Sequence, residues 1–265
     1  MELDFQSDVY NTDFKTVKKM KMFRKNAFLF YLEFISYFVF HRYGYKKMEN
    51  KWEVIYHGSI KIIRSVEKRG CAFDVKGLKN IRDLDHPVIF VSNHMSMMET
   101  MVLFYLVHKP LSYVLKDTLM KIPVFNSMVL NCEPIAVTRK NPGKDLNKVM
   151  EEGKARLERG NSVILFPQGS RSSGFNPDRF NSLGIKLALN TGFPIVPVAV
   201  KTDFWGNGKL LPYFGKIFPE KTVHIEFGSV IKPEGRGKDQ HNQVIGFLSE
   251  KLSSWGVPVM KGEEK

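Results

Sequence analysis

A chain of 265 residues can bury one large core, as a single α/β domain with an appendage. Forty Lys and Arg against 27 Asp and Glu leave a formal net charge of +13, which implies an anionic partner: a membrane surface, nucleic acid or a phosphorylated substrate. Cys71 and Cys132 are the only cysteines and the seven histidines are scattered, which argues against a disulfide framework, a zinc site or any other metal cluster and fits a reducing compartment.

The first eleven residues are polar. Lys15, Lys18, Lys19, Lys21, Arg24 and Lys25 then precede an aromatic, apolar run over 27–40, and Arg42, Lys46, Lys47 and Lys51 follow it. That run is too short to span a bilayer and is interrupted by Glu33. It begins late and lacks a small-residue cleavage site, unlike a cleavable signal peptide. Over 52–66, Trp52, Ile55, Tyr56, Ile60, Ile62 and Ile63 interleave with Lys61 and Arg64 in a helical pattern. Helices over 15–41 and 49–68 are expected to pair as a hairpin lying in one leaflet, aromatics in the interface and lysines against anionic headgroups. The alternative is that both cover the main domain as ordinary core. The expected division is a membrane-associated helical segment over 1–68 and an α/β domain over 69–265.

From residue 71 strands and helices alternate. Strands are expected over 71–76, 88–91, 111–115, 134–137, 162–166, 194–200 and 222–227, the last a candidate edge strand because apolar and polar residues alternate along it. Helices are expected over 100–107, 124–130, 145–159, 180–190 and 239–252. Residues 116–123 connect, and Gly206-Asn207-Gly208 is a turn. The pattern predicts a mixed, largely parallel sheet flanked by helices.

Val88 to Val91 run into Ser92-Asn93-His94, so His94 sits where a strand ends and a helix begins, the edge at which α/β proteins bind ligands. Glu99 follows five residues later. Within one continuous helix those five residues rotate the direction by roughly 140°. The two side chains meet only if His94 precedes the helix, with Ser96 as N-cap and Glu99 in the first turn, as in a capping box. A carboxylate on one ring nitrogen fixes the tautomer and leaves the other free to take a proton. Other strand ends deliver Lys116, Arg139 and the loop Pro167-Gln168-Gly169-Ser170-Arg171-Ser172. On a parallel sheet these ends share an edge. A bidentate arginine fork, a lysine point charge and backbone N–H groups near Gly169 suit a phosphate.

At these residues the sequence resembles the glycerolipid acyltransferases, the 1-acylglycerol-3-phosphate acyltransferase family. Asn93-His94 with Glu99 is similar to the family's NHx4D block, and Phe166-Pro167-Gln168-Gly169-Ser170-Arg171-Ser172 to its FPEGTRS block. Val196-Pro197-Val198-Ala199 resembles its VPVA block. Lys116, Ile122-Pro123 and the stretch from Pro134 to Arg139 resemble the block between. The likeness covers about 73–227. Glu99 replaces Asp, Ser170 replaces Thr, and Gln168 replaces a Glu associated in the family with acceptor binding, as in a bacterial subgroup.

The resemblance implies that His94 takes the proton of an acceptor hydroxyl as it attacks an acyl thioester, with Glu99 orienting the ring. The acceptor phosphate goes to Arg171, Lys116 and Arg139, and Gln168, Gly169 and Ser170 shape its pocket. The donor is acyl-CoA or an acyl carrier protein, and the acceptor lysophosphatidic acid or a similar lysolipid. No cofactor, metal or nucleic acid is required. The expected location is the cytoplasmic face of the inner (cell) membrane, monotopic or peripheral. Two other readings stay open: a thioester or ester hydrolase using the same His–Glu pair on water, and a non-enzymatic binder of anionic lipid.

Overall fold

The computed structural model describes residues 28–36, 51–121, 132–208 and 215–260. Its helices are α1 (residues 28–36), α2 (Lys51–Lys68), a single turn α3 (Lys79–Arg82), α4 (Met98–Val107), α5 (Pro142–Glu158), α6 (Leu183–Thr191) and α7 (Lys238–Ser254). The strands are β1 (Phe73–Lys76), β2 (Ile89–Ser92), β3 (Leu111–Lys116), β4 (Ile135–Val137), β5 (Ser162–Leu165), β6 (Ile195–Lys201) and β7 (Val223–Phe227). They form one sheet in the order β1-β7-β6-β2-β5-β3-β4. Pairing from β6 through β2, β5 and β3 to β4 is parallel throughout. β7 lies antiparallel to β6, and β1 parallel to β7. The C-terminal ends of five strands therefore share one edge, as the largely parallel sheet expected from the sequence requires.

The sheet separates two apolar layers because successive side chains of a strand point to opposite faces. In β2, Phe90 enters one layer with α2 and α4, while Ile89 and Val91 enter the other with α5, α6 and α7. α4 is apolar around its whole circumference, which is stable only where every side is covered. The sheet covers one side, and α2 lies over the helix through Trp52 on Phe104, 5.3 Å between ring centroids. Ile55, Ile62, Ile63 and Val66 of α2 are buried in the same layer.

Some boundaries differ from expectation for local reasons. α5 starts at Pro142 rather than 145, since Asn141 caps it by accepting from Lys144 N at 3.1 Å and proline is favoured in the first turn. β7 is not the edge strand. Its alternation reflects Val223, Ile225 and Phe227 facing the core and a half-covered opposite face, and β1 takes the edge. The expected helix over 124–130 lies outside the described residues, as does most of the expected helix over 15–41.

α6 packs onto β2 through Gly184, where a Cβ would lie 2.5 Å from Val91 Cγ2. Gly184→Val should destabilise the fold by about 1–3 kcal/mol through overpacking. Urea unfolding measures this; an unchanged midpoint would mean that the helix shifts freely on the sheet.

Candidate active site

β2 ends at Ser92, and the next residue extends its pairing by side chain. Asn93 Nδ2 donates to Val200 O at 2.8 Å, and Val200 N donates to Asn93 Oδ1 at 2.9 Å. This buried exchange replaces one ladder step and lets the backbone leave the sheet at His94. Two bonds resembling those of the expected capping box follow, although the cap position falls on Met97 and not on Ser96. Ser96 Oγ accepts from Met98 N at 3.1 Å, and Glu99 Oε1 accepts from Ser96 N at 2.6 Å. The intervening Met97 already has helical angles, and regular helix begins at Met98.

Glu99 is fully buried. A carboxylate taken out of water must be met by donors. Oε1 accepts from Met95 N at 2.7 Å, Ser96 N at 2.6 Å and Thr202 Oγ1 at 2.6 Å, and Oε2 faces His94 Nδ1 at 2.5 Å. The first turn of a helix favours negative charge there. Because a carboxylate accepts at Nδ1, that nitrogen carries the proton and Nε2 holds the free lone pair. The ring stacks on Phe166, with centroids 4.3 Å apart and planes at 23°.

The loop after β5 pins this turn from the other side. His94 N donates to Gln168 Oε1 at 2.8 Å, and Ser172 N donates to His94 O at 2.9 Å. Gln168 Nε2 reaches Gly174 O at 3.5 Å. A cavity of about 240 Å³ opens beside the histidine. His94, Lys116, Arg139, Gly169 and Arg171 all line it, so five of the eight residues singled out in the sequence share one space. Glu99 lies behind His94, and Gln168 and Ser170 are not among the lining residues. The remaining walls are chiefly apolar, with Met97, Met101, Leu119 and Leu165 prominent.

Arg139 stands in the left-handed backbone region at φ 59°. Asp145, in the first turn of α5, holds that bend by accepting from Thr138 N at 2.9 Å and Arg139 N at 2.7 Å. The Thr138 N–H, with the Arg139 N–H and Thr138 hydroxyl behind it, keeps the Asp145 carboxyl below the ordinary carboxylate range. The Arg139 guanidinium donates to Gly169 O and so ties two cavity loops together. Tyr113, also in the wall, donates to Thr100 O at 3.1 Å, and burial pushes its phenol well above the usual range. It is a neutral wall residue at working pH. Among the described residues no group of three His, Cys, Asp or Glu could hold a metal ion.

Sequence reasoning missed Thr202 and the structural side of Asn93 and Gln168. Periodicity says nothing about a lone hydroxyl after a strand, and no spacing rule joins residues 99 and 202.

The acyltransferase family model matches residues 72–201. The 1-acyl-sn-glycerol-3-phosphate acyltransferase of Pseudomonas aeruginosa is 30% identical over 189 residues, covering 70% of this chain and 68% of that one. The chloroplast protein of Brassica napus with the same enzyme name is 29% identical over 142 residues, covering 52% of this chain. The chain spans only 39% of that relative and 47% of one from Arabidopsis thaliana. The crystal structure of the 1-acyl-sn-glycerophosphate (LPA) acyltransferase PlsC from Thermotoga maritima superposes with a TM-score of 0.67 at 20% identity. It covers 89% of this chain and 97% of that one, and shares the fold.

Gln168→Ala leaves the His94 N–H without its acceptor and should cost about 1–3 kcal/mol. Gln168→Glu keeps an acceptor there and should cost less. Thermal melts of the two variants decide it, and equal losses would discard the pin.

Proposed function

Since the chain belongs to the acyltransferase family, we propose that it moves an acyl group from a thioester to the free hydroxyl of 1-acylglycerol-3-phosphate, giving phosphatidic acid. The observation that carries this reading is the His94–Glu99 pair opening onto a largely apolar cavity that also holds Lys116, Arg139 and Arg171. Such a space suits a molecule with a hydrocarbon chain and a phosphate. The enzyme names of the relatives support the same acceptor.

His94 Nε2 takes the proton of the acceptor hydroxyl while that oxygen attacks the thioester carbonyl. Removing the proton during attack avoids a free alkoxide. The new C–O bond replaces the C–S bond, and the thiolate leaves with the proton returned from the imidazolium. Glu99 holds the ring in the tautomer that permits this and faces its positive charge. The cations bind the acceptor phosphate, Arg171 foremost. The thioester is carried by coenzyme A or by an acyl carrier protein.

Membrane association of the N-terminal segment is part of the same proposal. α1 turns Phe30 and Phe34 inward onto Trp205, with ring centroids 5.3 and 5.1 Å away. Its opposite side exposes Phe28, Leu29, Leu32 and Ile35, from 65% to 37% accessible. Among the described residues no helix is long and apolar enough to cross a membrane. That side of α1 dips into the acyl boundary of one leaflet, with anionic headgroups attracted by the chain's +13 charge. The leaflet is the cytoplasmic one of the cell membrane.

His94→Ala should lower kcat roughly 10²–10⁴-fold without unfolding the protein, followed as phosphatidic acid formed from acyl-CoA and lysophosphatidic acid. Retained turnover would falsify the mechanism. Arg171→Ala should raise KM for the phosphate acceptor roughly ten- to hundredfold, about 1.5–3 kcal/mol for a charge-assisted contact, and change kcat little. An unchanged KM moves the phosphate elsewhere. Replacing Leu29 and Leu32 together by Glu should weaken co-sedimentation with phosphatidylglycerol vesicles. Undiminished binding would put the membrane contact on another face.

A further inference from the structure

Thr202 follows β6 and is fully buried. The Asn93–Val200 exchange brings this end of β6 against the turn over 94–96, and two hydroxyls meet there. Ser96 Oγ donates to Thr202 Oγ1 at 2.9 Å, and Thr202 Oγ1 donates to Glu99 Oε1 at 2.6 Å. A hydroxyl has one hydrogen. Ser96 accepts from Met98 N and spends its hydrogen on Thr202, so the Thr202 hydrogen is directed at the carboxylate. The chain of bonds runs one way, from a backbone N–H at the start of α4 through two hydroxyls to Glu99 Oε1.

We infer that Thr202 is a positioning residue for the acyl transfer: its hydroxyl completes a three-donor set on Glu99 Oε1 and thereby commits Oε2 to His94. This rests on His94 being the base. A glutamate side chain has one more rotatable bond than an aspartate and more freedom to lose when it is held. Two backbone donors at Oε1 come from the same turn as His94 and move with it. Thr202 is the donor supplied by a different strand, so it references the carboxylate to the sheet. Without that hydroxyl the carboxylate can swing about its Cγ–Cδ bond, and Ser96 loses its acceptor. The imidazole then spends less time in the orientation that receives the proton. Thr202 is not among the residues lining the cavity, so substrate binding is untouched.

The test uses the full chain with vesicles, acyl-CoA and lysophosphatidic acid. Thr202→Val keeps the shape and removes the hydroxyl. It should lower kcat roughly 10–100-fold, the scale of groups that orient a working residue from behind, with both KM values within about twofold of the parent. Thr202→Ser restores the donor and should recover most of kcat. In a Glu99→Gln background, Thr202→Val should add no further loss, because the hydroxyl acts through the carboxylate. If Thr202→Val does not fold, Thr202→Ala removes the same hydroxyl with less bulk and should lower kcat in the same way. The inference is overturned by parental kcat in either variant, by equal losses in Thr202→Val and Thr202→Ser, or by losses that multiply in the double variant. Turnover by His94→Ala is a different failure: it removes the base itself, whatever Thr202 does.

Discussion

Everything at the working edge of this protein depends on one buried carboxylate. Glu99 lies at the start of α4 with no exposed surface and four donors around it. A charge so placed is tolerated because both oxygens are met by donors and the helix start favours it. The donors come from the His94 turn, from the imidazole and from Thr202 just after β6. Satisfying the carboxylate therefore closes the turn, orients the ring and ties α4 to the sheet at one point.

The position of that point follows from the packing of α4. The helix carries too little polar surface to lie on the outside, so it must be sandwiched. The sheet supplies one wall and α2 another. This sandwich makes α2 part of the core. The N-terminal segment, expected as a membrane hairpin, is in its described part also an integral layer of the fold. The inward faces of α1 and α2 are buried in the core, and the outward face of α1 is left apolar.

The loop after β5 is the second support of the site. Gln168 and Ser172 grip the backbone of His94 from both sides, and Phe166 stacks on its ring. Gln168 carries an acceptor and a donor, and the structure uses both, toward His94 N and Gly174 O. A carboxylate at that position could serve only the first. Glutamine therefore suits the backbone around this position.

Most of the fold and the chemical pair were legible in the sequence. The strand pattern, the parallel edge and the cations at strand ends follow from local periodicity and from the rule that parallel strands present their C-terminal ends together. The meeting of His94 with Glu99 was legible because the turn between them is short and its capping bonds are local. What the sequence could not supply are contacts across large separations. Sequence separations of 103 from Glu99 to Thr202, 74 from His94 to Gln168 and 107 from Asn93 to Val200 are spanned by hydrogen bonds that no periodicity encodes. The sequence by itself determined which residue types stand at the ends of the strands. Only the tertiary structure decided which of them touch, because β6 and the β5 loop reach His94 through sheet order, and sheet order is settled by packing of the whole core.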